Sequence, residues 1–568
     1  MHKRGLKSIG ILGMALVGAL ATAQTSRLAD RVTEFEADTR ALDRTYIIDE
    51  SEQYYTRFST FYSDWKKKLD KVDFGGLSQQ AKVDYILLGN LVDKEAYLLS
   101  QDHTDFRKVA EVGHFAKTLF PFINGRRRGI RPDAKILAQL LQDAAAAIDS
   151  EMEARKSRPF KDWQTAGNAA NVVLSFKKGL TEAYDFYYGY DPDFTWWAEK
   201  PYEKLNKKLK AYAEFLKSNH ARDSVKDDQS GIMGKPIGKA SLKKSLSMAF
   251  IPYTPAELIK AAEEQFAWCR NEMIKASREL GFGDDWKKAL EHVKNTYVPP
   301  GEQPRAIMDI YSHSVAFIEK KDLITLPDLA KETWGMIMMT PERQKVNPFF
   351  TGGREISISY PTHEMDHPDK LMSMRGNNPN FSFPTVQHEL LPGHNLQHFM
   401  TSRHKSYRRA FSTPFWTEGW ALYWEIILWN KNFAQTPEQK LGMLFWRIHR
   451  CARIIFSLKF HLGEMTPQEC IDLLVDEVGH EYANAEAEVR RSFTTNYPPL
   501  YQLAYMVGGL QFYALRNEML EQGWTEKQFH DRVMQEGPMP IELLRGLLQD
   551  LPLTKDYATQ WKFSMQFE

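Results

Sequence analysis

The sequence predicts a mainly α fold, and three observations predict it. Thr-Pro steps followed by an acid or amide open helices at Thr254-Pro255-Ala256-Glu257, Thr436-Pro437-Glu438-Gln439 and Thr466-Pro467-Gln468-Glu469. Each is a capping box with proline at the first helical position. Helix-period apolar positions follow, such as Leu258, Ala261, Ala262 and Phe266 after the first box. Strand-like alternation is scarce by comparison.

Taken in order, the chain opens with a basic stretch, Met1–Lys7, a short apolar run, Ser8–Leu20, and the small residues Ala21-Thr22-Ala23. That is the pattern of a secretory signal, expected over residues 1–23. The run is short of the roughly 20 residues a spanning helix needs. No cysteine follows it, so no lipid anchor is implied. The expected product is exported, periplasmic or secreted, with residues 24–568 as one mainly helical domain and its catalytic part at roughly 350–520. Residues 27–95 and 132–155 read as helices, and 220–241, polar and glycine-bearing, as a long surface loop. Ile356-Ser357-Ile358-Ser359-Tyr360 alternates cleanly and reads as a strand. Such a strand could grip an extended peptide backbone by strand addition, or serve only the fold.

Composition narrows the function. The formal net charge is +1, with both signs interspersed, which argues against nucleic acid or an acidic membrane as partner. Of the three cysteines, Cys451 and Cys470 are candidates for a bridge with Cys269 left free; three free buried thiols is the other reading.

The richest segment is Val386–Met400, VQHELLPGHNLQHFM, followed by Glu418 in PFWTEGWALYWE. Two imidazoles and one distant carboxylate form the ligand set of a catalytic zinc site with a position left for water. A glutamate beside the first histidine is the usual general base of a zinc hydrolase. The two histidines of the common His-Glu-x-x-His motif stand four apart, but His388 and His394 stand six apart. On a regular helix they would diverge by roughly 120°. Pro392 removes a backbone donor and clashes with the carbonyl of His388, and Gly393 tolerates the resulting backbone; a two-residue helix bulge would bring the imidazoles together.

Other readings stay open. His363-Glu364-Met365-Asp366-His367 is a literal His-Glu-x-x-His, but Pro361 and Pro368 bracket it and push His367 away from helix. His394 and His398 are four apart but lack an adjacent glutamate. All of these histidines could be ordinary core or surface residues. Glu418 and Glu425 are seven apart on one helix face, expected to be capped by Thr417, so either could reach a metal while the other orients an imidazole.

His-Glu-Leu-Leu-Pro-Gly-His at 388–394 with Glu-Gly-Trp-Ala-Leu-Tyr at 418–423 resembles the bacterial family catalogued as domain of unknown function 885. It resembles, more distantly, the helical zinc peptidases of the thimet oligopeptidase and angiotensin-converting enzyme type. Tyr505-Met-Val-Gly508 with Arg516 is similar to that family's C-terminal signature. The resemblance implies a helical zincin-like body with a cleft and a small sheet near the site. It implies one Zn2+ per chain held by His388, His394 and Glu418 with Glu389 as general base, but the substrates of that family are mostly undefined. The ligand set itself points to peptide or amide hydrolysis, with a peptide as the expected substrate and Glu425 the candidate to orient a ligand imidazole. Tyr497, Tyr501 and Tyr505 cluster downstream, and Tyr505 is the candidate donor to the oxyanion of a tetrahedral intermediate. Arg375 and Tyr501 are candidates for substrate binding. Arg490, Arg491 and Arg516 could hold a substrate terminus, with a structural ion pair as the plainer reading.

Overall fold

The computed structural model describes residues 28–221, 228–344, 352, 355–494 and 497–566. The expected leader, 1–23, lies outside the described residues. Contacts divide the described residues into two compact units, one of those within 28–76 and 88–221, the other of those within 77–87 and 228–566.

In the first of these, Asp133, Asp162 and Asp191 each accept backbone N–H groups and start the helices Ala134–Arg155, Trp163–Tyr187 and Pro192–Ser218. Ala134–Arg155 and Trp163–Tyr187 both pack on Pro192–Ser218. Their apolar stripes bury Leu141, Ala145 and Ile148, then Val173 and Phe176, then Leu205, Leu209 and Tyr212. The stretch expected to be helical over 27–95 is three helices, at 28–43, Glu52–Asp70 and from Gln79 onward.

The second unit holds the predicted capping boxes. Thr254, Thr436 and Thr466 each accept the N–H three residues on, and each partner side chain reaches back. Thr525 and Gln528 form a fourth. Of the expected loop 220–241, residues 222–227 lie outside the described residues, and a helix begins at Gly238.

Six helices position the site: α1 (Pro379–Glu389), α2 (His394–Thr401), α3 (Pro414–Asn430), α4 (Pro437–Leu462), α5 (Tyr482–Thr494) and α6 (Tyr501–Glu521). Helix α4 is buried along most of its length and packs on α1, α6 and the helix Pro255–Glu279. Helix α3 packs on α6. At their crossing Gly419 and Gly508 let backbone meet backbone. A Cβ on Gly508 would lie 2.2 Å from the Phe415 carbonyl oxygen, and one on Gly419 would lie 2.6 Å from the Gly508 Cα.

The small sheet among the described residues has two parallel strands, β1 (Gly335–Met338) and β2 (Glu355–Ile358). The strand expected at 356–360 is therefore present, but it does not alternate: Ile356, Ser357 and Ile358 are all buried. No helix among the described residues is long and apolar enough to cross a membrane. Cys269, Cys451 and Cys470 are all free and buried. Cys470 Sγ faces the Phe456 carbonyl, and Cys451 faces Cys269 instead, so the structure holds no Cys451–Cys470 bridge.

Candidate metal centre

Helix α1 does not bulge between the two histidines; it ends and a new helix begins. Glu389 is its last residue, Leu390 and Gly393 take non-helical ψ angles of −118° and −133°, and α2 starts at His394. The Leu391–Pro392 peptide bond is cis. The Gly393 N–H donates to the Gln387 carbonyl at 3.0 Å, so the chain folds back on the end of α1. A Cβ at 393 would sit 2.0 Å from the His388 carbonyl oxygen, which only glycine avoids. The indole of Trp420 on α3 donates to the Pro392 carbonyl at 2.9 Å and pins the turn. The expected disruption falls at these residues, but as a helix end and restart, not as a two-residue bulge.

This turn brings the donors together. Nitrogens of His388 and His394 and an oxygen of Glu418 lie within 4.8 Å of one another, and all three side chains are buried. His394 Nε2 is 3.2 Å and His388 Nε2 3.5 Å from the same oxygen, Glu418 Oε2. Two imidazole nitrogens and a carboxylate oxygen converging on one small volume suit a divalent cation such as zinc. The other oxygen of Glu418 accepts from the Tyr501 hydroxyl at 2.5 Å.

Glu425 lies about two turns further along the same face of α3, and its Oε1 is 2.7 Å from His388 Nδ1. A carboxylate there keeps the proton on Nδ1 and turns Nε2 toward the metal position. Burial works to lower the His388 pKa, but the hydrogen bonds with Glu418 and Glu425 outweigh it and raise it to about 9. Burial also opposes the charge on Glu418, yet His394 and His388 hold its carboxyl well below the usual range. Replacing Glu425 with Gln keeps an acceptor but removes the charge. Zinc affinity, read by titration against a competing chelator, should then fall about tenfold; a change under about threefold would show that Glu425 does not support the ligand.

Around the donors is a cavity of ≈ 350 Å³ whose lining runs from Gly352 to Tyr505. Glu389 lines it beside His388, and burial raises its carboxyl pKa. Tyr505 lines it too, its ring 6.0 Å from and nearly parallel to that of His388. Tyr501 stacks on Tyr497 at 4.3 Å. His398 is part of the lining but not of the three-donor group.

Other expectations land elsewhere. His363 is exposed in a turn, and His367 begins the helix His367–Gly376, so that motif is not brought to the group. Arg375 does not line the cavity; its guanidinium is spent on Glu291, Asn295 and Glu481. Arg490 pairs with Glu486 and Arg516 with Glu526, whereas Arg491 does line the cavity. The cap of α3 is Thr413, which accepts from the Trp416 N–H, and not Thr417. Sequence reasoning missed Arg450 and Arg453, which line the cavity from α4. Their signal was the run Arg447, Arg450 and Arg453, three arginines at three-residue spacing in the mostly apolar middle of the helix, where charge is out of place.

The fold has been seen before without a function attached. A structure described as a "putative lipoprotein of unknown function" from Shewanella oneidensis matches 92% of this chain and 99% of its own, at 17% identity and TM-score 0.69. A second, a "putative lipoprotein" from Colwellia psychrerythraea, matches 93% and 99%, at 15% identity and TM-score 0.57. No curated protein matches the chain. A family model described as "bacterial protein of unknown function" (DUF885) matches residues 37–548, and the chain belongs to that family.

Proposed function

We propose that the protein is a zinc-dependent hydrolase of peptide bonds. The observation that carries this reading is the buried His388, His394 and Glu418 donor group with the Glu389 carboxyl beside it in one cavity. Zinc held by these three residues would polarise a scissile carbonyl and bring the pKa of its water toward about 7. Glu389 accepts the proton of the attacking water and passes it to the leaving amine. Its burial-raised pKa suits both halves of that task, since a base that is too acidic takes protons poorly. Tyr505, in the cavity wall over His388, is the donor to the developing oxyanion. Tyr501 fixes the orientation of Glu418 through its hydroxyl and presents its ring to the substrate. The N-terminal signal pattern supports export, as does the lipoprotein description carried by both similar structures.

Purified mature protein should carry about one zinc per chain by elemental analysis. A chelator should abolish peptide hydrolysis, and added zinc should restore it. His388→Ala should lose the metal while His363→Ala keeps it. No metal, and no uptake of added zinc, would sink the reading, and metal loss in His363→Ala alone would move the site upstream. Turnover of simple amides but not peptides would make the protein an amidase, and turnover of neither a catalytically silent binder.

A further inference from the structure

The metal side of the cavity is not its only charged wall. Arg450 and Arg453 stand three apart on α4, so both face the cavity, and both are buried, at 8% and 2% exposure. Tyr505 lies between them, with guanidinium carbons 4.6 and 4.5 Å from its ring. Arg491 joins them from α5.

The counter-charges do not match. Glu488 is shared: Arg453 Nε lies 2.7 Å from one oxygen, Arg491 2.5 Å from the other, and Gln502 donates to it as well. The carboxylate oxygen within ion-pair reach of Arg450 is Glu425 Oε1, 3.9 Å away and already engaged with His388 at 2.7 Å; Glu418 and Glu389 also act on its charge, but neither accepts a hydrogen bond from it. Arg450 Nε and Arg453 Nη1 are buried and have no hydrogen-bond partner among the described residues. A buried cation with unused donors is costly unless an anion meets it. A planar carboxylate suits the guanidinium fork, and a cavity of ≈ 350 Å³ suits a short peptide.

We infer that Arg450 and Arg453 form a subsite for the C-terminal carboxylate of a peptide, so that the chain is cut near its C-terminus. The inference rests on the hydrolase reading of the same cavity. Arg450 is linked to the donor group through Glu425, which lies 3.9 Å from Arg450 and 2.7 Å from His388, so a carboxylate held there would sit within a few residues of the scissile bond. In the cleavage, the water oxygen bonds to the carbonyl carbon and the C–N bond breaks. The water's proton travels through Glu389 to the nitrogen, releasing the short fragment that carries the carboxylate.

The test compares N-acetyl-Ala-Ala with its C-terminal carboxamide. Binding is measured by calorimetry on the full-length, zinc-loaded Glu389→Gln protein, whose turnover, slowed by about 10²–10⁴-fold, leaves the ligand intact over the titration. The acid should bind about tenfold more tightly than the amide, as a charge-assisted contact predicts. Adding Arg450→Met should shrink that preference to about twofold, and Arg450→Lys should keep part of it. Equal binding of acid and amide overturns the subsite, and so does a preference that survives Arg450→Met, which would place the carboxylate on the metal. If Arg450→Met does not fold, the same comparison on zinc-depleted wild-type protein decides: the preference should persist there, and its loss overturns the proposal. Inorganic phosphate binding more tightly than the acid would reject a peptide carboxylate as the ligand. Wild-type protein that cleaves neither compound while the Arg450-dependent preference holds would sink the hydrolase reading and leave the subsite standing. Cleavage of both at equal rates with equal affinity would do the reverse.

Discussion

Glu389→Gln should yield a folded, zinc-loaded protein whose peptide hydrolysis is slower by about 10²–10⁴-fold, the usual contribution of a positioned general base. Glu389 is the final residue of α1, next to His388 and outside the three-donor group. Gln is nearly isosteric, so the fold-back at Gly393 and the position of His388 should survive. What is lost is a group able to take a proton, and an amide cannot substitute for it. The variant should therefore match wild type in zinc content and thermal midpoint and differ only in rate. Near wild-type rates in a metal-loaded variant would assign the base elsewhere. Loss of zinc would mean that Glu389 supports the metal directly.

The largest stability effect is expected at Arg408, which is fully buried on the turn between α2 and α3. Its Nε lies 2.7 Å from Asp84 Oδ1, and its Nη1 donates to the carbonyl and to Oε2 of Glu536 at 2.8 and 3.0 Å. Tyr407 donates to the second oxygen of Asp84, and Lys405 pairs with Glu536. Arg408→Met would leave Asp84 with only a phenol and Glu536 short of one cation. Removing one partner of a buried ion pair costs about 3–5 kcal/mol, because the remaining charge stays buried. That is a large share of the roughly 5–15 kcal/mol that holds a domain folded. Denaturant unfolding, followed by a probe in the unit containing 228–568, should show the shift, and Asp84→Leu in the same background should recover part of it. A loss under about 1 kcal/mol would mean that water or a neighbour compensates the exposed carboxylates.

The helical class and the donor residues were legible in the sequence because both depend on short-range chemistry. A Thr-Pro-x-Glu step caps its own helix, and Glu418 and Glu425 share a face through helix geometry alone. The form of the break at 390–393 was not legible. Proline and glycine announce a disrupted helix, but whether it bulges or restarts depends on Trp420, twenty-eight residues on, reaching the Pro392 carbonyl. Arg375 looked free in a polar stretch because its partners lie 80 to 106 residues away. Strand β1 was missed because four residues with no alternation carry no periodic signal. Thr413 repeats the Thr-Pro device but lacks an acid or amide three residues into the helix, which is what made the other three visible.

The glycine contact between α3 and α6 distributes stiffness unevenly around the cavity. Glu418 stands on one of these helices and Tyr501 and Tyr505 on the other, and where the helices cross no side chain lies between them. Side chains between packed helices can change rotamer and let the helices slide by small shear steps. Backbone against backbone has no such torsions to spend, so the acid and the phenols move as one plate. Any widening of the cavity is therefore expected from the parts of its lining that belong to neither helix, such as Gly352, Gly376 and Asn377.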